Sequence, residues 1–273
     1  MIAQDMEKMA ADIRWQIIEM SHFGKAPHLG SSLSCVDLVV AAYFHFLRID
    51  PQNPMHPERD RFFLSKGHAI STLYAVLAKR GFFSALLLKT FNQNGSCLPE
   101  HPTPHCIAGV EVATGSLGHG LSMGIGHALA AKIRGQSYRT MVLMSDGECN
   151  EGSVWEAALF APAHKLENLI AIIDFNKWQA TGRSEQVMQL SPLKEKWASF
   201  GWQTYEINGN SYPEILDVFS KIPEVSGKPT AIVAHTVKGK GVSFMEDDNN
   251  WHYRIPNEDE LLKAKKDLGL DEK

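Results

Sequence analysis

The sequence lacks the marks of several large protein classes. It contains no run of about 18 apolar residues, the length that a membrane-spanning helix requires. Its first residues include Asp5 and Glu7 and form no apolar stretch, so they do not predict a secretory signal. Neither an internal repeat, a low-complexity tract nor an obvious linker interrupts the chain. We therefore expect a protein outside the membrane, with residues 1–273 in one domain.

A surplus of positive charge is also missing. The 27 basic residues are outnumbered by 31 acidic ones, which gives a formal net charge of −4. Such a chain has no overall attraction for nucleic acid or for an anionic membrane, so neither is expected as a partner. The four cysteines form no Cys-x-x-Cys pair, which is typical of reduced thiols in a cytosol. The composition therefore predicts a cytoplasmic protein.

The chain does have short apolar runs that alternate with segments of helical periodicity. The runs predict strands at 140–145, 169–174, 202–207 and 230–234. The periodicity predicts helices over the first twenty residues and at 36–47, 71–80, 120–134, 153–165, 212–220 and beyond 257. Segments 24–32, 51–57 and 92–120 are rich in Gly, Pro or polar residues and predict irregular connections. This alternation predicts an α/β fold whose mainly parallel sheet carries helices on both faces.

Polar side chains follow two of the predicted strands where each strand ends. Asp146 comes directly after the 140–145 strand, and Asn176 comes shortly after the 169–174 strand. Ligands of open parallel sheets bind beyond the carboxyl ends of the strands, and oxygen ligands suit hard cations such as Mg²⁺. The spacing therefore predicts a metal–diphosphate site. A plain strand–turn with a capping Asp is the alternative interpretation for either strand taken alone.

Two other patterns are weaker. Gly118-x-Gly120 is not a dinucleotide fingerprint, because the third glycine falls at Gly124 and no clear strand precedes the motif. A second cluster places two thiols and two imidazoles within ten residues, but its spacing departs from common zinc-finger patterns. That cluster consists of Cys97, His101, His105 and Cys106.

The string Asp146-Gly-Glu-Cys-Asn-Glu-Gly-Ser-Val-Trp-Glu-Ala, followed by Asn176, resembles the diphosphate-binding signature of the transketolase family. The resemblance extends from about residue 10 to residue 256, and it implies the thiamine-diphosphate-binding fold. Asp146, Asn176 and the main-chain carbonyl of Trp178 would hold Mg²⁺, or Ca²⁺ or Mn²⁺ in its place. Gly147 would donate its amide to a phosphate, and Glu151 belongs to the cofactor-binding signature. Ser145 departs from the pattern, since the family usually has Gly there.

Several histidines lie in strings that resemble transketolase substrate-channel motifs. The resemblance implies that His28, His101 and His252 line the channel for the donor sugar and act in catalysis. His119 stands where the family often has Gln and receives no role. The remaining positions would contact the cofactor, with Lys238 and His252 near its diphosphate and Gly115 to Leu117 at its aminopyrimidine ring; they are Ser31, His68, Gly115, Ser116, Leu117, Lys238 and His252. Tyr253 replaces the glycine that usually follows the last histidine, and its ring would narrow the channel.

Thiamine chemistry in this family also needs a glutamate that activates the aminopyrimidine ring. That glutamate belongs to a pyrimidine-binding domain, which full-length members carry, with a third C-terminal domain, after the region that resembles this chain. The resemblance therefore implies the N-terminal, diphosphate-binding subunit of a split transketolase. A C-terminal transketolase subunit would be its partner in an α2β2 assembly. The assembly would transfer a two-carbon ketol unit from a ketose phosphate to an aldose.

Two other functions stay open. One is a subunit of a thiamine-diphosphate enzyme that decarboxylates 2-oxo acids, although a keto-acid site needs fewer polyol contacts than the histidine motifs offer. The other is a subunit that binds the cofactor but only scaffolds its partner. Intact Asp146, Asn176, His68 and Lys238 argue against that loss of activity. Glu100 and Glu111 lie near these motifs without an assigned role.

Overall fold

The fold is organised by a five-stranded sheet. The computed structural model describes residues 3–104 and 107–271. The strands, in chain order, are β1 Arg61–Leu64, β2 Thr140–Ser145, β3 Leu169–Phe175, β4 Gln203–Asn208 and β5 Thr230–His235. They are ordered β1-β2-β3-β5-β4, and every neighbouring pair is parallel. All residues of β2 and β3 are buried, as expected where helices cover both faces of a parallel sheet.

Ten α-helices surround the sheet within the described ranges. In chain order they are α1 Ala3–Gly24, α2 Leu29–Ser34, α3 Val36–Ala41, α4 Ile70–Arg80, α5 Gly120–Arg134, α6 Gly152–Ala163, α7 Ser184–Val187, α8 Leu193–Ser199, α9 Tyr212–Ser220 and α10 Glu258–Asp267. Asn257 begins α10 with a capping box to Glu260, which satisfies main-chain amides at the helix start.

Alternate residues of the strands build two apolar cores. Met141 and Leu143 of β2 join the core that α1 to α4 and α9 cover, whereas Val142 and Met144 join the core under α5, α6 and α8. This alternation follows from the two-residue period of a strand. The predicted α/β architecture with helices on both faces is confirmed.

Three local predictions were wrong. No strand was predicted at β1, because four residues are too short a run to distinguish a strand from part of a helix. Segment 24–32 contains the start of α2, whose weak helix formers Gly30, Ser31 and Ser32 are held by burial rather than propensity. The single helix expected at 36–47 ends at Ala41 and continues as a π-helical turn, Ala42–Phe46. Short helices α7 and α8 were also missed.

Within residues 3–104 and 107–271, no helix is both long enough and apolar enough to cross a membrane.

Candidate functional site

The residues predicted to form the site follow the carboxyl ends of four parallel strands. His68 lies beyond β1, Asp146 beyond β2, Asn176 beyond β3 and Lys238 beyond β5. Since parallel strands end at the same side of a sheet, all four positions share one border, called here the carboxyl edge. The opposite border, where these strands begin, is called the amino edge.

Asp146 lies at the centre of the carboxyl edge and is fully buried. Its Oδ1 accepts the Gly147 amide at 2.9 Å, and its Oδ2 accepts the Lys177 amide at 3.0 Å and the Ser184 hydroxyl at 2.7 Å. Burial raises the pKa of Asp146 to about 6, while the bond from Ser184 opposes that rise. A buried carboxylate bonded only to neutral donors is a group that a bound cation stabilises.

Asn176 supplies a second buried oxygen at this edge. Its Oδ1 accepts the Trp178 amide at 3.1 Å, and the residue is 3% exposed. The Trp178 ring points to other partners: the Arg183 guanidinium lies 3.8 Å over it, and its indole donates to Asp247 at 2.8 Å. The bulk of Trp178 is therefore accommodated away from Asn176. This carboxylate and amide pair fits a hard cation that also draws on main-chain and phosphate oxygens.

The described residues contain no group of three or more His, Cys, Asp or Glu side chains placed to hold a metal by themselves. For the weak zinc pattern, Cys97 is a half-buried free thiol and His101 lies in the cluster described below. His105 and Cys106 are outside the described residues, so that pattern stays untested.

A buried ion pair that was not predicted from the sequence supports this edge from below. Lys66 and Asp174 are both fully buried and bonded to each other. Lys66 Nζ also donates to the Ser31 carbonyl at 2.9 Å, and Asp174 accepts the hydroxyls of Ser34, at 2.6 Å, and of Thr236. The pair thus ties α2 to β1, β3 and β5. Its one sequence signal was a charged residue inside the apolar run of β3.

Four of the predicted histidines come together above the carboxyl edge. The ring of His28 lies 4.9 Å from that of His252, 5.4 Å from His68 and 6.0 Å from His101, between centroids. His68 and His252 are 5.8 Å apart. These residues come from α2, the turn after β1, a loop and the turn before α10, and are separated by up to 224 positions in sequence. This set, His28, His68, His101 and His252, is called here the histidine cluster.

The histidine cluster is held in neutral form by its surroundings. Burial, followed by the charge of Lys238, lowers the pKa of His252 to about 3. Burial also lowers the pKa of His68 and of His28. Neutral imidazoles can both accept and donate hydrogen bonds, which suits a ligand with several hydroxyl groups.

Lys238 is the cation closest to the histidine cluster. Its Nζ donates to Asn249 Oδ1 at 2.7 Å and lies 3.5 Å from His252 Nδ1. Burial, together with the charge of Lys66, lowers the pKa of Lys238 to about 8. Gly30 of α2 leaves the room for this side chain, since a Cβ there would meet Lys238 Cγ at 3.0 Å. The site therefore holds a buried ammonium group that an anionic ligand would stabilise.

The loop that carries Gly115, Ser116 and Leu117 borders the cluster. Gly115 has a φ of +143°, and a Cβ there would lie 2.7 Å from the His101 ring, so glycine permits a close approach of the main chain. Ser116 is exposed and Leu117 is half-buried. Glu151 is exposed beside this loop, and its Cβ would be 2.7 Å from a Cβ at residue 118.

Glu148 anchors the same loop and was not predicted. Its Oε1 accepts the Gly118 amide at 2.9 Å and the Ser65 hydroxyl, and its buried Oε2 has no hydrogen-bond partner among the described residues. Burial raises its pKa. His119, to which no role was given, keeps its Nδ1 3.2 Å from the carbonyl oxygens of Ser116 and Leu117.

The two departures from the family pattern differ in setting. Ser145 is buried, and its hydroxyl accepts the Glu148 amide at 3.2 Å, so it stabilises the turn that follows β2. Tyr253 is 61% exposed and its ring lies 4.8 Å from that of His252 in an edge-on contact. Tyr253 thus stands at the rim of the histidine cluster rather than inside it.

The largest cavity formed by the described residues lies elsewhere, at the amino edge. It has a volume of about 680 Å³, and its cationic lining residues are Arg48, Lys132, Arg139 and Lys165. Both arginines bind the buried carboxylate of Asp60, and Lys132 donates to the carbonyl oxygens of His164 and Lys165 at the end of α6. Three of the four cations are therefore occupied by the protein itself.

Comparison with known proteins agrees with this geometry. The family model described as transketolase, thiamine diphosphate binding domain, matches residues 6–273. The chain is 41% identical over 268 residues to an apulose-4-phosphate transketolase subunit of Phocaeicola vulgatus, which covers 98% of this chain and 95% of that protein. It is 41% identical over 244 residues to 6-deoxy-6-sulfo-D-fructose transketolase subunit SqwG of Clostridium sp., covering 89% of this chain and 88% of that protein.

Solved structures show the same architecture. The transketolase of Campylobacter jejuni superposes with a TM-score of 0.93 at 31% identity, over 99% of this chain and 44% of that one. The chain thus spans less than half the length of this solved transketolase but nearly the whole of the two relatives that are themselves transketolase subunits. Since a family model covers it almost from end to end and its fold recurs in solved transketolases, the chain belongs to the transketolase family and has its thiamine-diphosphate-binding fold.

Proposed function

We propose that this chain is the N-terminal, diphosphate-binding subunit of a split transketolase, with residues 1–273 as one domain. The observation that carries the proposal is the convergence of the histidine cluster with Lys238, Asp146 and Asn176 at one edge of the sheet. A decarboxylase acting on a small keto acid has less use for four neutral imidazoles, because its substrate offers fewer hydroxyl groups. The two relatives named as transketolase subunits, which this chain matches almost throughout, support the same function.

The residues at the carboxyl edge fit thiamine diphosphate with Mg²⁺, or Ca²⁺ or Mn²⁺. Asp146, Asn176 and the Trp178 carbonyl would hold the cation, and the Gly147 amide would face a phosphate. Lys238, with His252, would face the diphosphate as a buried donor, and Glu151 would border it. Ser31, His68 and residues 115–117 would contact the cofactor further along. The cofactor, once bound, supplies the chemistry that breaks and makes the carbon–carbon bond.

The protein's own part in the transfer is to orient and move protons on the donor sugar. His28 and His252 would exchange protons with donor hydroxyls, since both rings are neutral and lie 4.9 Å apart. His101 would hydrogen-bond the donor near its terminal hydroxyl, at the exposed side of the cluster. A two-carbon ketol unit would pass from a ketose phosphate to an aldose acceptor.

The activity requires a second chain in this proposal. A C-terminal transketolase subunit would supply the pyrimidine-binding domain, its activating glutamate and part of the sugar-phosphate pocket, in an α2β2 heterotetramer. Buried free thiols at Cys35 and Cys149 suit a reducing cytoplasm, where we place the protein.

The cofactor proposal is tested by calorimetry of thiamine diphosphate binding with and without Mg²⁺. Asp146→Ala removes the central carboxylate, so Mg²⁺-dependent binding should weaken on the order of 100-fold or more, since a charged first ligand is lost. Asp217→Ala is the matched control, because that carboxylate is exposed on α9 and pairs only with Lys221. Tight Mg²⁺-dependent binding by Asp146→Ala would refute the metal assignment.

The reaction is tested on the complex with its partner chain. We expect transfer from a ketose phosphate such as fructose 6-phosphate to an aldose, and no release of carbon dioxide from pyruvate. His101→Ala should raise the donor KM and lower kcat/KM while cofactor affinity stays nearly constant. Decarboxylation of pyruvate without ketol transfer would support the 2-oxo-acid enzyme instead, and neither activity would support the scaffold.

A further inference from the structure

Glu100 is bonded to the histidine cluster, although no motif in the sequence assigns it a role. Its Oε1 lies 3.0 Å from His28 Nδ1. The two side chains are only 28% and 19% exposed. Glu100 directly precedes His101, so the same loop brings one carboxylate and one imidazole to the cluster.

The other contacts of His28 fix the position of its backbone and crowd its ring. Its amide donates to the His252 carbonyl at 2.9 Å, and its φ of +69° starts α2. The rings of His68, His101 and His252 surround it within 6.0 Å. Glu100 is therefore the polar side chain that decides how the His28 ring is turned and which nitrogen carries hydrogen.

The protonation of His28 follows from this bond. A carboxylate can only accept a hydrogen bond, so Nδ1 must carry the hydrogen between it and Glu100. Burial, with the charges of His101 and Lys238, lowers the pKa of His28, although Glu100 works in the opposite direction. The ring is therefore neutral near pH 7, and its Nε2 has a free electron pair.

We propose that Glu100 is a positioning residue, which locks His28 as the Nδ1–H tautomer so that Nε2 can accept a hydrogen bond from a hydroxyl of the donor sugar. This role rests on the proposed function only in naming the sugar as the source of the hydroxyl. The bond between Glu100 and His28 is a property of this chain alone. A histidine of this kind, oriented by a carboxylate, is a better-defined proton acceptor than a free one.

A second Glu–His pair in the chain provides a matched control. Glu206 Oε1 lies 2.6 Å from His235 Nε2, where β4 and β5 are neighbours. Those side chains are 45% and 35% exposed, and no ring of the histidine cluster contacts them. Glu206→Gln therefore changes a similar bond outside the cluster.

The tautomer is tested by nitrogen NMR of the full chain labelled in its histidine rings, without cofactor. We expect His28 to show a protonated Nδ1 and a bare Nε2. Glu100→Gln, whose amide oxygen still accepts a bond, should keep that tautomer, whereas Glu100→Ala should admit the Nε2–H form. An Nε2–H tautomer in the unchanged chain, or an unaltered His28 in Glu100→Ala, would overturn the proposal. Glu206→Gln should leave the His28 signals in place.

The consequence for the reaction is tested in the complex with the partner chain, with fructose 6-phosphate as the donor probe. Glu100→Ala should lower kcat/KM about 10- to 100-fold, the range of one charge-assisted hydrogen bond, with thiamine diphosphate affinity changed less than about twofold. Glu100→Gln should recover most of the activity. Its acid limb should shift to lower pH, because the imidazolium of His28 then faces only His68, His101, His252 and Lys238 and has lost its one negative neighbour.

The two tests fail separately. If the complex transfers no ketol unit from any ketose phosphate, the proposed function fails while the NMR result still decides the Glu100–His28 bond. If the tautomer changes as expected but kcat/KM of Glu100→Ala equals that of Glu206→Gln, the positioning role is wrong. A Glu100→Ala protein that unfolds leaves the decision to Glu100→Gln and the tautomer of the unchanged chain.

Discussion

The two edges of the sheet both bury carboxylates, but they satisfy them differently. At the amino edge, Asp60 accepts the amides of Arg48 and Arg139, each at 2.8 Å, and binds the guanidinium groups of both. These bonds lower the pKa of Asp60 against the effect of burial. At the carboxyl edge, Asp146 has only neutral donors, and burial raises its pKa.

The difference separates a structural site from a binding site. The larger cavity lies at the amino edge, where arginines neutralise Asp60 and close the charge balance within the protein. The carboxyl edge keeps Asp146 without a cation and Lys238 without a carboxylate partner among the described residues. Polar groups that are buried yet incompletely matched are costly to fold, and a ligand that matches them recovers that cost.

The largest expected effect is on the ion pair beneath the carboxyl edge. Asp174→Ala leaves the Lys66 ammonium buried with no opposing carboxylate, so the free energy of unfolding should fall by about 3–5 kcal/mol. Urea denaturation of the metal-free chain measures this loss. Replacing Lys66 by Met and Asp174 by Leu together should restore most of the stability, since a buried pair exchanged for apolar groups is often neutral. A single variant within about 1 kcal/mol of the unchanged chain contradicts this account.

At the amino edge the corresponding change should cost less. Asp60→Ala removes a carboxylate whose partner Arg48 is 51% exposed in its side chain, so water can solvate that guanidinium afterwards. We expect a loss of about 2–3 kcal/mol, mostly from amides left without acceptors. Thiamine diphosphate affinity, measured by calorimetry below the unfolding temperature, should stay within about twofold. A large loss of affinity would show that the two edges are coupled.

The same contrast explains what the sequence could predict. The strands of the core were predictable because β2, β3 and β5 are apolar runs of six or seven residues, and Asp146 and Asn176 stood out where two of them end. The Lys66–Asp174 pair was not, because its partners lie 108 positions apart and Asp174 falls inside an apolar run. Motif resemblance brought His28, His68, His101 and His252 together before any contact between them was known.

Glu100 and Glu148 mark the limit of such reasoning. Each acts through a contact with a distant segment, Glu100 with His28 and Glu148 with Gly118. No periodicity or local spacing encodes those pairings, since they depend on how loops fold over the carboxyl edge. Short elements such as β1 and α2 were missed for a related reason: their residues are held by tertiary packing and not by intrinsic propensity.

Lys238 sharpens the comparison through pH. Its pKa of about 8 in the free chain should rise when the diphosphate binds, because negative charge stabilises the ammonium group. Binding then takes up a proton above pH 8, so thiamine diphosphate affinity should fall as pH rises, by at most about tenfold per pH unit. Lys238→Met should weaken binding about tenfold at pH 7 and flatten this limb. Lys79→Met, at an exposed pair with Asp12, is the control.

The smallest effect concerns the serine that ends β2. Ser145→Gly removes the hydroxyl that accepts the Glu148 amide at 3.2 Å, and it frees the backbone of a tight turn, so unfolding should cost about 1 kcal/mol less. Because no contact joins the Ser145 side chain to Asp146 among the described residues, thiamine diphosphate affinity should change less than about twofold. Urea denaturation and calorimetry of the same sample separate the two quantities. An affinity gain of tenfold would mean that the serine itself restricts the phosphate turn, and that the carboxyl edge departs from its family in function as well as in sequence.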